Sequence, residues 1–153
     1  MADVTLINIV QGVQTTWAAS TTLSALIPVE RLFLDRTPAK TPYPNATISF
    51  KDVSAYFGGT EYFSGSAYVK NTQVSFDVFG TRETDWGEVS QAINDVFGWT
   101  STSVGASWSI PNAVILAAMP ETEAFGLLED RVDGEDIVKY TASFTLTMQA
   151  ERG

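Results

Sequence analysis

VKYTASFTLTMQA, Val138 to Ala150, alternates without a break. Val138, Tyr140, Ala142, Phe144, Leu146, Met148 and Ala150 fall on one side of an extended chain; Lys139, Thr141, Ser143, Thr145, Thr147 and Gln149 fall on the other. Successive side chains of a strand point to opposite faces, so a period of two means one buried and one polar face. At about 3.3 Å per residue the run makes a strand of roughly 43 Å, about twice the usual length. A strand half-buried in this way belongs to an antiparallel sheet with one face on a core. Asp133-Gly134, just before it, is a strong signal for a two-residue hairpin turn. The upstream partner is Ala113–Met119, apolar throughout, with Pro120 expected to interrupt it and Phe125–Leu128 to continue it.

Outward from this hairpin, the same reasoning places the other elements. Leu6, Val10, Val13 and Trp17 line one face of an opening helix, with Asp3 or Thr5 as its cap, and Ser20-Thr21-Thr22 suggests a turn after it. Val29–Asp35 is a short strand candidate. Pro38, Pro42 and Pro44 then stiffen the approach to a strand in which Ala46, Ile48 and Phe50 point one way and Thr47, Ser49 and Lys51 the other. The apolar phase moves to Val53, Ala55 and Phe57, which predicts a bulge near Asp52. Gly58-Gly59 and Gly65 mark a loop, and a second strand runs from about Ala67 to Phe79. Asp85, with Glu88 three residues on, opens a helix whose stripe is Trp86, Val89, Ile93 and Val96 or Phe97, and Gly98 stops it. Thr100–Pro111 reads as loop. The order predicts an α+β fold: one domain over residues 1–153, an antiparallel β-sheet with two α-helices packed on one face, and a long C-terminal hairpin.

Composition narrows the chemistry. A chain of 153 residues can bury roughly 70% of its unfolded surface, enough for one real core. It has no cysteine and no histidine, which removes thiol chemistry, imidazole zinc sites and Ser-His-Asp triads. With 18 acids against 9 bases, the net charge of −9 disfavours stable nucleic-acid binding and acidic lipid surfaces. No apolar run approaches the ~20 residues a membrane helix needs, and the acid at position 3 argues against an export signal. Neither phosphate-binding glycine motif is present, and no nucleophile has a base at a recognisable spacing. No catalytic residue, cofactor or metal site is therefore assigned.

Two clusters remain. Glu121, Glu123, Glu129, Asp130, Asp133, Glu135 and Asp136 gather around the final hairpin. Oxygen-rich loops suit hard cations, but the spacing is not that of an EF-hand, and a solvated hairpin tip is the plainer reading. A carboxylate pair there could act as acid and base, yet nothing in the sequence desolvates one of them. The stretch YFGGTEYFSGSAY carries Tyr56, Phe57, Tyr62, Phe63 and Tyr68 around a glycine-rich turn. These are candidates for a subunit or tube interface, for sugar stacking, or for completing a hairpin core.

The sequence of features, VERLFLDRTP, TPYPNATISF, VSFDVFG, TDWGEVSQAINDVF and VKYTASFTLTMQAE, resembles the small tail-completion, or tail-terminator, proteins of long-tailed bacteriophages and prophages. The resemblance runs over roughly residues 4 to 150. It implies a non-enzymatic virion structural protein at the tail end or neck, assembled in the host cytoplasm. Its partners would be further copies of itself in a ring, usually a hexamer, together with the tail-tube protein and the head–tail connector. On this view Glu129, Asp130, Asp133, Glu135 and Asp136 project on a hairpin or face the channel, where like charge would not hold passing DNA. The rival readings are a tail-tube or head-side joining protein of the same virion, and a carbohydrate-binding module using the Tyr/Phe loop.

Overall fold

The computed structural model describes residues 6–56, 69–98, 108–111, 113–132 and 135–150. The architecture is α+β: helices over one face of a five-stranded sheet. The strands are β1 (Leu32–Leu34), β2 (Asn45–Tyr56), β3 (Val69–Gly80), β4 (Ala113–Val132) and β5 (Glu135–Ala150). Their order across the sheet is β1-β2-β3-β5-β4. All neighbours are antiparallel except β1 and β2, which run parallel, so the sheet is mixed rather than wholly antiparallel as expected.

The alternation of β5 appears as burial. Tyr140, Ala142, Phe144, Leu146 and Met148 are buried under the helices, and the intervening threonines face outward. β3 contributes Val74, Phe76 and Val78 to the same inner face, and β2 contributes Ala46 and Ile48. The expected bulge is present, as a register shift between Asp52 and Ser54. β4 corrects the expectation of a break. Pro120 interrupts nothing, because β4 is an edge strand and the missing donor falls at a register shift between Pro120 and Thr122. β4 and β5 pair as far as Val132 and Glu135, which leaves Asp133 and Gly134 between them.

Among the described residues three helices, not two, form the covering layer: α1 (Leu6–Ala19), α2 (Thr21–Leu26) and α3 (Trp86–Phe97). The extra one is α2, where a turn was expected. Ser20 accepts a hydrogen bond from the Leu23 amide at 3.2 Å and caps the short helix. A 3-10 turn, Val29–Arg31, takes the first part of the expected Val29–Asp35 strand. α3 begins as its sequence predicts, with Asp85 accepting from the Glu88 amide at 3.1 Å. The buried stripe of α1 is Ile9, Val13 and Trp17, with Val10 only half-buried.

The core is aromatic. Phe76 lies 4.7 Å from Phe97 and 5.9 Å from Trp17, measured between ring centres, and Phe97 lies 4.8 Å from Trp108. Both indoles find carbonyl acceptors, Trp17 on Ile27 and Trp108 on Phe97, each at 2.8 Å. Trp108–Ile110 is clamped against α1 where Gly12 lets the chains approach. Thr16 donates to the Gly12 carbonyl at 2.7 Å and accepts from the Ser109 amide at 3.0 Å.

A Cβ on Gly12 would stand 2.6 Å from the Ile110 side chain and 2.7 Å from the Ser109 carbonyl oxygen. Backbone cannot yield as a flexible side chain can. Gly12→Ala should therefore destabilise the fold by about 1–3 kcal/mol, although alanine favours helix, as measured by urea unfolding.

Candidate functional site

Because β1 runs parallel to β2, residues 35–44 must carry the chain from the end of β1 back to the start of β2. The three prolines lie in this crossover, and Tyr43-Pro44 is a cis peptide. Asp35 (φ 61°) and Lys40 (φ 65°) adopt left-handed backbone, unusual for a lysine. Asn45 holds the loop closed: it donates to the Pro42 carbonyl at 3.2 Å and accepts from the Thr37 hydroxyl at 3.3 Å. The Arg31 guanidinium adds a bond of 3.4 Å to the Tyr43 carbonyl.

The loop arches over the outer face of the sheet and encloses an open cleft of about 840 Å³. Thr47, Asp77, Phe79 and Ile137 form its floor. Arg36, Lys40 and Tyr43 stand on its rim, all exposed. The floor acid is engaged, since Asp77 accepts from the Thr141 hydroxyl at 2.6 Å and has the Lys139 ammonium at 4.0 Å. Its neighbours continue the pattern: Ser75 bonds Ser143 at 2.9 Å, and Thr147 donates to Asn71 at 2.7 Å. The cleft thus sets Phe79 and Ile137 beside Thr47 and the engaged Asp77 on its floor, with Arg36, Lys40 and Asp35 on its rim.

A second unusual surface lies on the opposite edge. From Met119 to Gly126 every residue of β4 is exposed, whichever face it points to; the helices reach this stretch through Trp86, against Phe125. Phe125 is 54% exposed even though its ring meets Trp86 edge-on at 6.0 Å and lies 4.7 Å from Tyr140. The Tyr140 hydroxyl beneath it is buried without a hydrogen bond. Glu123 and Asn94 are near enough to influence it, but neither completes a bond of proper geometry. Burial first, and then the Glu123 carboxylate, push the phenol well above its ordinary pKa, with Asn94 pulling weakly the other way.

The residues singled out from sequence are placed unevenly. Tyr56 ends β2 with its backbone paired to Val69, while its side chain and all of Phe57, Tyr62, Phe63 and Tyr68 lie outside the described residues. Glu129 and Asp130 fall in β4 at a register shift between Leu128 and Arg131, Glu135 pairs with Val132, and Asp133 lies outside the described residues. Asp136 does not project alone: Arg82, in the turn between β3 and α3, holds it at 3.1 Å. The hairpin does run past β3, which ends at Gly80 opposite Val138. The cleft was missed altogether. Its signal was Arg31, Arg36 and Lys40 gathered around the prolines in a chain with only 9 bases.

Tyr140→Phe removes a buried hydroxyl that has no partner, so it should leave stability at pH 7 unchanged or slightly raised. The raised phenol pKa stabilises the fold only while the phenol stays protonated. That contribution is complete below about pH 10, the unfolded value, and is lost as pH rises above it. Thermal melts from pH 8 to 12 should show Tyr140→Phe losing less stability than the wild type.

A scan against protein-family models finds no match for this chain, and a search of curated proteins finds none either.

Proposed function

We propose that this chain is a ring-forming structural subunit that caps a finished phage tail tube and offers the joint to the head connector. The observation that carries the reading is the uncovered arm, β4 from Met119 to Gly126, exposed on both faces in a chain whose core is complete without it. Even with its contacts to Trp86 and Tyr140, Phe125 leaves half of its surface in water, and Met119 nearly as much, on one extended strand. A subunit that meets a neighbour there buries both.

The stretches that carry the resemblance occupy framework positions. TPYPNATISF is the end of the crossover and the first half of β2, VSFDVFG is the inner half of β3, and TDWGEVSQAINDVF is α3 with its cap. As framework, they leave recognition to the edges and the loops. No substrate, cofactor or turnover enters this reading.

The test is assembly. Purified protein, examined by light scattering and negative-stain electron microscopy with isolated tail tubes, should form closed rings that sit on one tube end. Open filaments would mark a tube protein instead. A protein that stays monomeric and leaves tube ends bare would overturn the proposal.

A further inference from the structure

Among the described residues, the exposed large apolar side chains are Ile7, Leu34, Tyr43, Met119 and Phe125. Four of these fall into two pairs at the two ends of the strand order. Leu34 lies on β1 and Tyr43 in the loop that follows, next to Arg36 and Lys40. Met119 and Phe125 lie on β4, on either side of Glu121 and Glu123. On β4 the two apolar groups stand with the exposed carboxylates Glu121 and Glu123; on and after β1 they stand with the exposed cations Arg36 and Lys40, with Asp35 beside them, so the first edge is anionic and the second keeps a cationic excess. β4 carries no cation before Arg131. Neither Arg36 nor Lys40 has an ion-pair partner among the described residues.

We propose that these edges are the two halves of one head-to-tail contact, with β4 of one copy seated against the β1 edge and cleft rim of the next. The proposal rests on the ring reading and names the surfaces that close the ring. Charge decides the symmetry. A two-fold pairing of β4 with β4 would set Glu121 and Glu123 against their own counterparts, and a pairing of the two loops would oppose Arg36 and Lys40 in the same way. Only edge against opposite edge brings the carboxylates to the cations. Since each copy offers both edges, the contact repeats from copy to copy, and it gives a closed ring when the rotation per contact closes.

The backbone decides the kind of contact. Pro120 supplies no donor, and β4 shifts register between Ile115 and Ala117 and again between Pro120 and Thr122. Those features block strand-to-strand addition along this stretch. Side chains carry the contact instead: Glu121 and Glu123 toward Arg36 and Lys40, and Met119 and Phe125 toward Leu34 and Tyr43.

A charge exchange tests it. Arg36→Glu/Lys40→Glu and Glu121→Lys/Glu123→Lys each place like charges across every contact, so each double variant alone should associate at least about tenfold more weakly in sedimentation, with an unchanged circular-dichroism spectrum. Mixing the two variants makes every contact complementary again in an alternating ring, as does combining all four substitutions in one chain, and both should restore assembly. If the wild type forms rings and both double variants form them equally well, the edge assignment is wrong while the ring reading stands. If the variants are folded monomers that neither mixing nor combination restores, the pairing is also wrong. A monomeric wild type sinks the ring reading itself, and this proposal with it.

Discussion

The contact between Phe76 and Phe97, 4.7 Å between ring centres, is where the two layers of the fold are joined. Phe76 comes from β3 in the middle of the sheet, and Phe97 is the last residue of α3. Phe97 also touches Trp17 of α1 and Trp108, and its carbonyl accepts the Trp108 indole. One fully buried ring thus fixes two helices and the 108–110 segment to the sheet. Aromatic rings bury more surface than any other side chains, and tilted pairs such as these add to that burial. The position of this cluster has a geometric result. It centres the helices on β3 and β5, so the Met119 to Gly126 stretch of β4 meets only the edge of the layer, through Trp86, and the exposure of Phe125 follows from where the core is closed.

Local sequence spoke clearly wherever a local interaction decides the structure. The alternation of β5, the Asp85 cap of α3 and the bulge near Asp52 all involve neighbours in the chain, and all three were legible. Ser20 was ambiguous because the same hydroxyl that ends a helix in a turn can cap the start of another, and only the Leu23 amide in place distinguishes them. Pro120 misled for a different reason. Whether a proline breaks a strand depends on whether that strand is central or at an edge, which is a property of the sheet's order. The cleft was least legible of all. It exists because a three-residue strand pairs in parallel, forcing the proline-set loop over the outer face toward Phe79 and Ile137, far from it in sequence. The aromatic stretch around Tyr62 was chosen for its composition, whereas the exposed apolar groups on the described surface are single residues spaced apart in the chain.

The charge of −9 acquires a layout once the fold is known. Acids are frequent enough that an isolated carboxylate means little. Cations are scarce, so where they stand is informative: Arg82 holds Asp136, Lys139 lies near Asp77, and Arg31 braces the Tyr43 carbonyl. Arg36 and Lys40 stand on the rim of the cleft, held there by a loop that Asn45 keeps shut. A lysine kept in left-handed backbone sits on a platform that the surrounding hydrogen bonds must enforce.

The outer face of the sheet can be viewed as a material as well as a pattern. Its hydroxyls and carboxamides are joined sideways, Ser75 to Ser143, Thr141 to Asp77 and Thr147 to Asn71, along the seam between β3 and β5. Donors engaged with a neighbouring strand are not offered outward, and the Asp77 charge is partly offset by Lys139. Along this seam the face is polar and wettable, with its donors turned to the neighbouring strand rather than to solvent.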